Sequence, residues 1–350
     1  MTNMPRLISM ATAVPRYRLD QPDVASGAAR LFGDRVRDFE RLRPVYENAE
    51  IETRYSCVPI DWYLTEPGFE ERNRLYLENA VPLLAAAAKD CIARAGLEVA
   101  DIGGIVTVSS TGIATPSLDA LLMQRLPFGP DTERLPIFGL GCAGGVLGLA
   151  RAAALARANP DRIYLLLVVE LCGLTFRAGD RSKSNVIATA LFGDGAAAAL
   201  VTCRDGFEGP AITATAEHTW PDTLDIMGWN VRDDGLEVQF SRDIPTLVRR
   251  DMAGILADFL RRHELAPGDI DTFVPHPGGA KVLDALEEIC GLPPGGLVEA
   301  RAVLRQYGNM SAATVLFVLE RSLGDRRRRR LLSSLGPGFS AAFLLLEELA

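Results

Sequence analysis

The 350-residue chain is 48% hydrophobic and 23% charged, which suits one large core or two fused halves and excludes a disordered chain. A net charge of −8 argues against a dedicated nucleic-acid binder. The longest apolar runs, such as Ile163 to Val169, fall far short of the ~18 residues of a membrane span, and no basic-then-apolar leader opens the chain. Integral membrane association is therefore not expected, and a cytoplasmic location is.

In chain order, the pattern predicts an opening strand over 5–10 and a helical stretch over about 23–48. Apolar residues at three- and four-residue spacing, with many alanines, predict a long buried helix over 74–96. Ile102 to Ser109 reads as a buried strand. Leu135 to Phe138 reads as another, followed by a glycine-rich turn and an alanine-rich helix to about Ala158. Strands are predicted over 162–170, 195–203 and 211–218. The second half repeats this order, with a helix over 244–264, a strand over 271–275 and a helix over 279–290. A further helix runs from Asn309 to about Ser322, and a strand over 339–347 closes the chain. The basic run Arg326 to Arg330 reads as a solvated loop before that strand. Strands alternating with helices predict an α/β fold with mainly internal strands. Each half holds a strand, a glycine-marked turn with a chemically able residue, and a helix. The chain thus reads as two similar halves, 1–207 and 208–350.

Six cysteines form no C-x-x-C pair, which points away from a metal site and from a disulfide scaffold. One of them, Cys142, lies between a predicted strand and helix, among Gly141, Gly144 and Gly145. A helix N-terminus favours thiolate through its unpaired N–H groups and positive dipole end. A buried structural cysteine is the competing reading. His276 ends an apolar strand before Pro-Gly-Gly, whereas His263, on a charged helix end, reads as surface. Asn309, in Tyr-Gly-Asn-Met-Ser, would by itself read as a helix cap. Together the three mean more. Extending an acyl thioester by decarboxylation takes a thiolate nucleophile, and neutral donors toward the oxygen on which an enolate develops. Histidine and asparagine are such donors; an aspartate would repel both the enolate and the malonyl carboxylate.

A different class stays open beside this. Gly139-x-Gly141-x-x-Gly144 matches a dinucleotide-binding fingerprint, and Glu170 ends the next strand where a ribose-binding acid would stand. On that reading the protein is an NAD(P)-dependent oxidoreductase.

Gly-Cys142-Ala-Gly-Gly, Leu-Phe192-Gly-Asp-Gly, His276-Pro-Gly-Gly, Gly-Asn309-Met-Ser and the late Leu335-Gly-Pro-Gly-Phe loop occur in that order. Together they resemble the chalcone-synthase-like type III polyketide synthases. The resemblance implies a thiolase-like αβαβα layered fold, a homodimer, and free acyl-CoA starter and malonyl-CoA as substrates, with no cofactor. It implies Cys142 as acyl-carrying nucleophile, His276 as its thiolate partner and Asn309 as decarboxylation donor. Phe192 falls on a gatekeeping position, and Thr175 and Ser311 on cavity-shaping ones. The second gatekeeper falls on Val238 by register, with Phe240 on the same strand face two residues on. Arg54, in Ile-Glu-Thr-Arg-Tyr, falls near a tunnel mouth and is a candidate CoA phosphate contact, or simply a surface arginine. Initiating ketoacyl-ACP synthases share the Cys-His-Asn logic and stand second within the fold.

Met227-Gly-Trp229-Asn-Val and Ser241-Arg-Asp-Ile-Pro look more like the bacterial enzymes that take fatty acyl starters and make alkylpyrones or alkylresorcinols. In those an acyl tunnel passes small residues, which fall here on Thr111, Thr115 and Cys172. Ordinary packing in an alanine-rich core is the competing explanation.

Overall fold

The computed structural model describes residues 4–33, 39–241, 243–324 and 328–349. A nine-stranded mixed sheet runs through it. Its order is Thr272–Pro275, Arg329–Gly336, Ser340–Glu347, Ala211–Thr219, Arg6–Ala13, Asp194–Thr202, Ile163–Leu171, Ile102–Val108 and Glu133–Ile137. The two halves of the sheet meet through the single pair Arg6–Ala211. Ile102–Val108 runs parallel to both its neighbours, and Thr272–Pro275 parallel to Arg329–Gly336.

Two helices, Gly144–Ala158 and Thr314–Ser322, pack on each other and on strands of both halves. They form the middle layer of a thiolase-like αβαβα arrangement. Small residues make this layer thin. A Cβ added at Gly145 would stand 2.3 Å from the Ala312 carbonyl oxygen, so the helix can approach that backbone only with glycine there. On one outer face lies Phe69–Arg94, against Arg6–Ala13, Ile163–Leu171 and Asp194–Thr202. On the other lie Ala253–Arg262 and Ala280–Cys290, with Phe259 stacked on Phe343 at 5.4 Å. Every residue of Ile163–Leu171 is buried, which is why it reads as a continuous apolar run.

Most predicted elements are present, and several differ. Glu133–Ile137 is an exposed edge strand, not an internal one. The helix over 23–48 is divided into Gln21–Phe32, Phe39–Leu42 and Val45–Asn48. A helix, Val298–Tyr307, precedes Asn309. The basic run is only partly a loop. Arg326 and Arg327 lie outside the described residues, but Arg329–Gly336 is a strand, and Arg330 is fully buried within it. Its Nε donates to the Ser322 carbonyl at 3.1 Å, and its head pairs with Glu348 at 3.3 Å. A guanidinium satisfied in this way sits in a strand that its charge hides from hydropathy.

No helix among the described residues is long and apolar enough to cross a membrane.

Candidate active site

Cys142 sits in the turn Gly141–Ala143 that leads into Gly144–Ala158. Gly141 has φ +47°, and a Cβ there would stand 2.7 Å from Pro337. The late Gly-Pro-Gly loop is thus packed directly on the cysteine turn. His276 follows the strand Thr272–Pro275, and its N–H donates to the Ser333 carbonyl at 2.7 Å. Asn309 is stitched to the Phe192 motif. Its N–H donates to the Leu191 carbonyl at 2.8 Å, and the Gly193 N–H donates to its own carbonyl at 2.9 Å. Its side-chain Oδ1 accepts the Ser311 N–H at 2.8 Å, while Nδ2 donates to the Gly278 carbonyl at 3.2 Å. Cys142, His276 and Asn309, remote in sequence, line one small buried cavity with Phe240 and Leu335.

Burial acts against the helix-start effect at the cysteine. Burial pushes its thiol up to about 12, outweighing the hydrogen bonds from Ser311 and Asn309 that pull it down. Burial also presses His276 down to about 3, and neither ring nitrogen has a protein partner. Desolvation disfavours the charged form of both groups.

Glu170 carries a part that sequence reading missed. It is fully buried, so it does not stand in a cleft for a ribose. Its carboxylate accepts from the Ser110 N–H at 3.0 Å and the Thr111 hydroxyl at 2.8 Å. The Ser311 hydroxyl donates to it at 3.4 Å and stands 3.8 Å from the Cys142 sulfur. Ser311 holds this place with φ +48°, a left-handed conformation uncommon outside glycine. A lone carboxylate at the end of a wholly apolar run was the available signal. The dinucleotide reading fails here, since its acid is used internally and its glycines frame the cysteine.

Burial raises Glu170 to about 7 from its ordinary 4.5. The unfolded chain loses this proton near 4.5, while the folded chain holds it to about 7. The associated stability is therefore complete below 4.5 and lost as pH rises to 7. Asp194, raised to about 6, acts in the same direction. Glu170→Gln cannot ionise, so its melting temperature is expected to fall less than wild type between pH 5 and pH 8. Parallel profiles for the two proteins would refute this assignment.

One further space adjoins the cysteine, and a second lies beyond it. A chamber in front of it is bounded by Cys172, Phe192, Trp229, Val238, Phe240 and Ser311. Beyond Cys172, Phe192 and Val238 lies an apolar cavity of about 300 Å³, which Thr175 also lines. Val238 stands on the inner side of the chamber. Phe240, two residues along Gly235–Phe240, also borders the triad cavity and an outward cleft with Lys183 and Asp243. The Phe192 ring meets Trp229 edge-on at 6.4 Å.

Two expected lining residues are placed elsewhere, while Arg54 lines the apolar cavity from a buried position. Thr111 faces a separate small cleft and is engaged by Glu170. Thr115 is exposed, because its loop lies on the surface of the chain. Arg54 is buried, neither a surface residue nor free for a phosphate. Its guanidinium donates to the carbonyls of Thr189, Ala190 and Phe192 and to Gln21. It braces the helix end that carries Phe192.

Sequence models of the chalcone and stilbene synthases match the chain in both parts: the N-terminal domain over residues 6–205 and the C-terminal domain over 211–347. A provisionally named chalcone synthase of Bacillus subtilis (strain 168) is 40% identical over 356 residues, covering 97% of each chain. The 1,3,6,8-tetrahydroxynaphthalene synthase of Streptomyces peucetius subsp. caesius is 40% identical over 345 residues, covering 96% of this chain and 91% of that one. The crystal structure of 1,3,6,8-tetrahydroxynaphthalene synthase from Streptomyces coelicolor A3(2), a bacterial type III polyketide synthase, superposes with a TM-score of 0.93. Its sequence is 30% identical, with 99% of each chain covered.

Proposed function

The chain belongs to the chalcone and stilbene synthase family of type III polyketide synthases, acyl-transferring and decarboxylating condensing enzymes, and from that premise we propose that it extends a fatty acyl-CoA starter with malonyl-CoA and cyclises the product to an alkylpyrone or alkylresorcinol. The observation that carries this reading is the apolar cavity of about 300 Å³ that shares Cys172, Phe192 and Val238 with the cysteine chamber. Space of that kind suits an apolar chain.

In the proposed sequence Cys142 passes its proton to His276, whose ring nitrogens have no other protein partner. The thiolate attacks the starter carbonyl, and CoA leaves as its thiol. Malonyl-CoA then loses carbon dioxide. The electron pair left behind forms an enolate whose oxygen takes hydrogen bonds from His276 and the Asn309 amide. The enolate carbon attacks the acyl-cysteine carbonyl, expels the Cys142 thiolate and leaves a β-ketoacyl-CoA two carbons longer. The thioesters and the chain's own residues suffice, with no cofactor.

We place Phe192 and Val238 as the inner gate of the chamber and Phe240 as its outer gate, with Cys172 and Thr175 shaping the cavity behind. Ser311 orients the sulfur. We also propose a homodimer across the edge strand Glu133–Ile137. Leu135 is 36% exposed there, and Ile113 and Phe138 stand exposed nearby. An open edge with apolar neighbours favours pairing with a second copy. A solution mass of a single chain would overturn it.

A second reading is favoured by the Streptomyces peucetius relative, whose named product is an aromatic without an alkyl chain. A panel of acyl-CoAs with labelled malonyl-CoA separates the two by product mass. Products that retain the starter alkyl chain support the proposal. Products built from malonyl-CoA alone, whatever starter is present, support the second reading instead.

A further inference from the structure

The small cavity that holds Cys142, His276 and Asn309 is also lined by Ser334. Ser334 lies on Arg329–Gly336, which runs parallel beside the strand that ends in His276. Pro275 is in register with Ser333, and the His276 N–H donates to the Ser333 carbonyl, so His276 follows on opposite Ser334. Neighbouring strands lie about 4.8 Å apart, and residues in register share a face. The imidazole and the hydroxyl are thus set side by side, while Ser333 goes with Pro275 to the other face. Both side chains are buried, and neither ring nitrogen nor the Ser334 hydroxyl has a hydrogen-bond partner among the described residues. An unpaired buried hydroxyl costs free energy that an alanine would not, so a serine here calls for a partner. The ring's orientation says which atom that is. A Cβ added at Gly278 would stand 3.7 Å from both Cδ2 and Nε2 of His276, and the Gly278 carbonyl holds the Asn309 amide. Nε2 is therefore on the Asn309 side, and Nδ1, across the ring, is left for another group.

We propose that Ser334 is a positioning residue for the reaction: its hydroxyl pairs with Nδ1 of His276 and so decides which ring nitrogen carries hydrogen. The proposal rests on the reading of His276 given above, as acceptor of the thiol proton and donor to the enolate. Nε2 can take the thiol proton only while it is bare, which puts the ring's own hydrogen on Nδ1. The imidazolium that results has a buried Nδ1–H in need of an acceptor. Donation to the enolate, in turn, needs hydrogen on Nε2. A hydroxyl serves each of these states, because it accepts from Nδ1–H and donates to a bare Nδ1, whereas a carboxylate only accepts. The hydrogen bond at one ring nitrogen sets the protonation of the other. The pair is open in the free enzyme, as catalytic hydrogen bonds often are before substrate binds.

The chain has three histidines, so nitrogen-15 spectra of the full-length enzyme labelled in its imidazoles can resolve His276, assigned by the signal that His276→Ala removes. Wild type is expected to carry the resting hydrogen on Nδ1, and Ser334→Ala to move it toward Nε2. For chain extension, Ser334→Ala should lower kcat roughly 10- to 100-fold, the scale of a lost hydrogen bond to a charged group, with KM changed by less than about threefold. Its melting temperature should hold or rise. Ser334→Thr keeps the hydroxyl, suits a strand and stands beside the small Ala342, so it should restore the wild-type spectrum and most of kcat. If Ser334→Ala keeps both the wild-type spectrum and kcat, the hydroxyl does not act on His276 and the proposal is overturned. Equal losses in Ser334→Ala and Ser334→Thr, tracking lower melting temperatures, would mark a packing role and overturn it as well. If wild type extends no acyl-CoA, the reading of the reaction fails, and the ring spectra still decide whether Ser334 sets the hydrogen on His276.

Discussion

Replacing Cys142 by alanine is expected to abolish chain extension, with a fall of roughly 10⁴-fold or more, because Cys142 is the one thiol that lines the cavity with His276 and Asn309 among the described residues. Cysteine and alanine differ little in volume, so the melting temperature should hardly move. Wild-type product yield from the variant would remove the polyketide mechanism. The site's electrostatics supply a second readout. Burial pushes the thiol up to about 12. Labelling of Cys142 by iodoacetamide in the free enzyme should therefore rise with pH through the alkaline range. A preformed thiolate–imidazolium pair would instead label at a constant rate through neutral pH. That result would show that His276 holds the proton at rest, and that the dry site described here is wetter in solution.

Asn309→Ala is expected to lose malonyl decarboxylation by about 10²–10³-fold, the usual effect of removing one donor from a developing oxyanion. Acylation of Cys142 by a starter should survive, since the sulfur reacts before any enolate forms. His276→Ala should damage both steps, because the imidazole takes the thiol proton and later faces the enolate. The asparagine also holds the Ser311 N–H through Oδ1, and leaving that buried donor unpaired costs about 1–3 kcal/mol. A melting curve must accompany the rate. Asn309→Asp keeps the acceptor but brings a negative charge to the enolate, so its decarboxylation should fall at least as far. Unchanged release of labelled carbon dioxide by Asn309→Ala would refute the donor role.

Much of this site was legible because its parts are local. Cys142, His276 and Asn309 each sit in a glycine-marked turn at an element boundary, and such turns are written in neighbouring residues by backbone geometry. The alternation of strands and helices was legible for the same reason, since periodicity reports which faces are buried. Other features depended on what distant residues do. Arg54 and Arg330 looked like surface charges until carbonyls from other segments were brought around them. Thr115 fell on a lining position by resemblance, and only the path of its loop sets it at the surface. Val238 and Phe240 share a strand face, and the chamber's walls decide which of them is inner and which outer. Burial works against the thiol's local context, because a helix start acts over one turn while desolvation sums over everything packed around the sulfur. Residue types and their spacing determined the chemistry this chain can attempt. The tertiary structure decided which groups are dry, which are paired and how far the cavity runs, because burial belongs to the assembled neighbours and not to the residue.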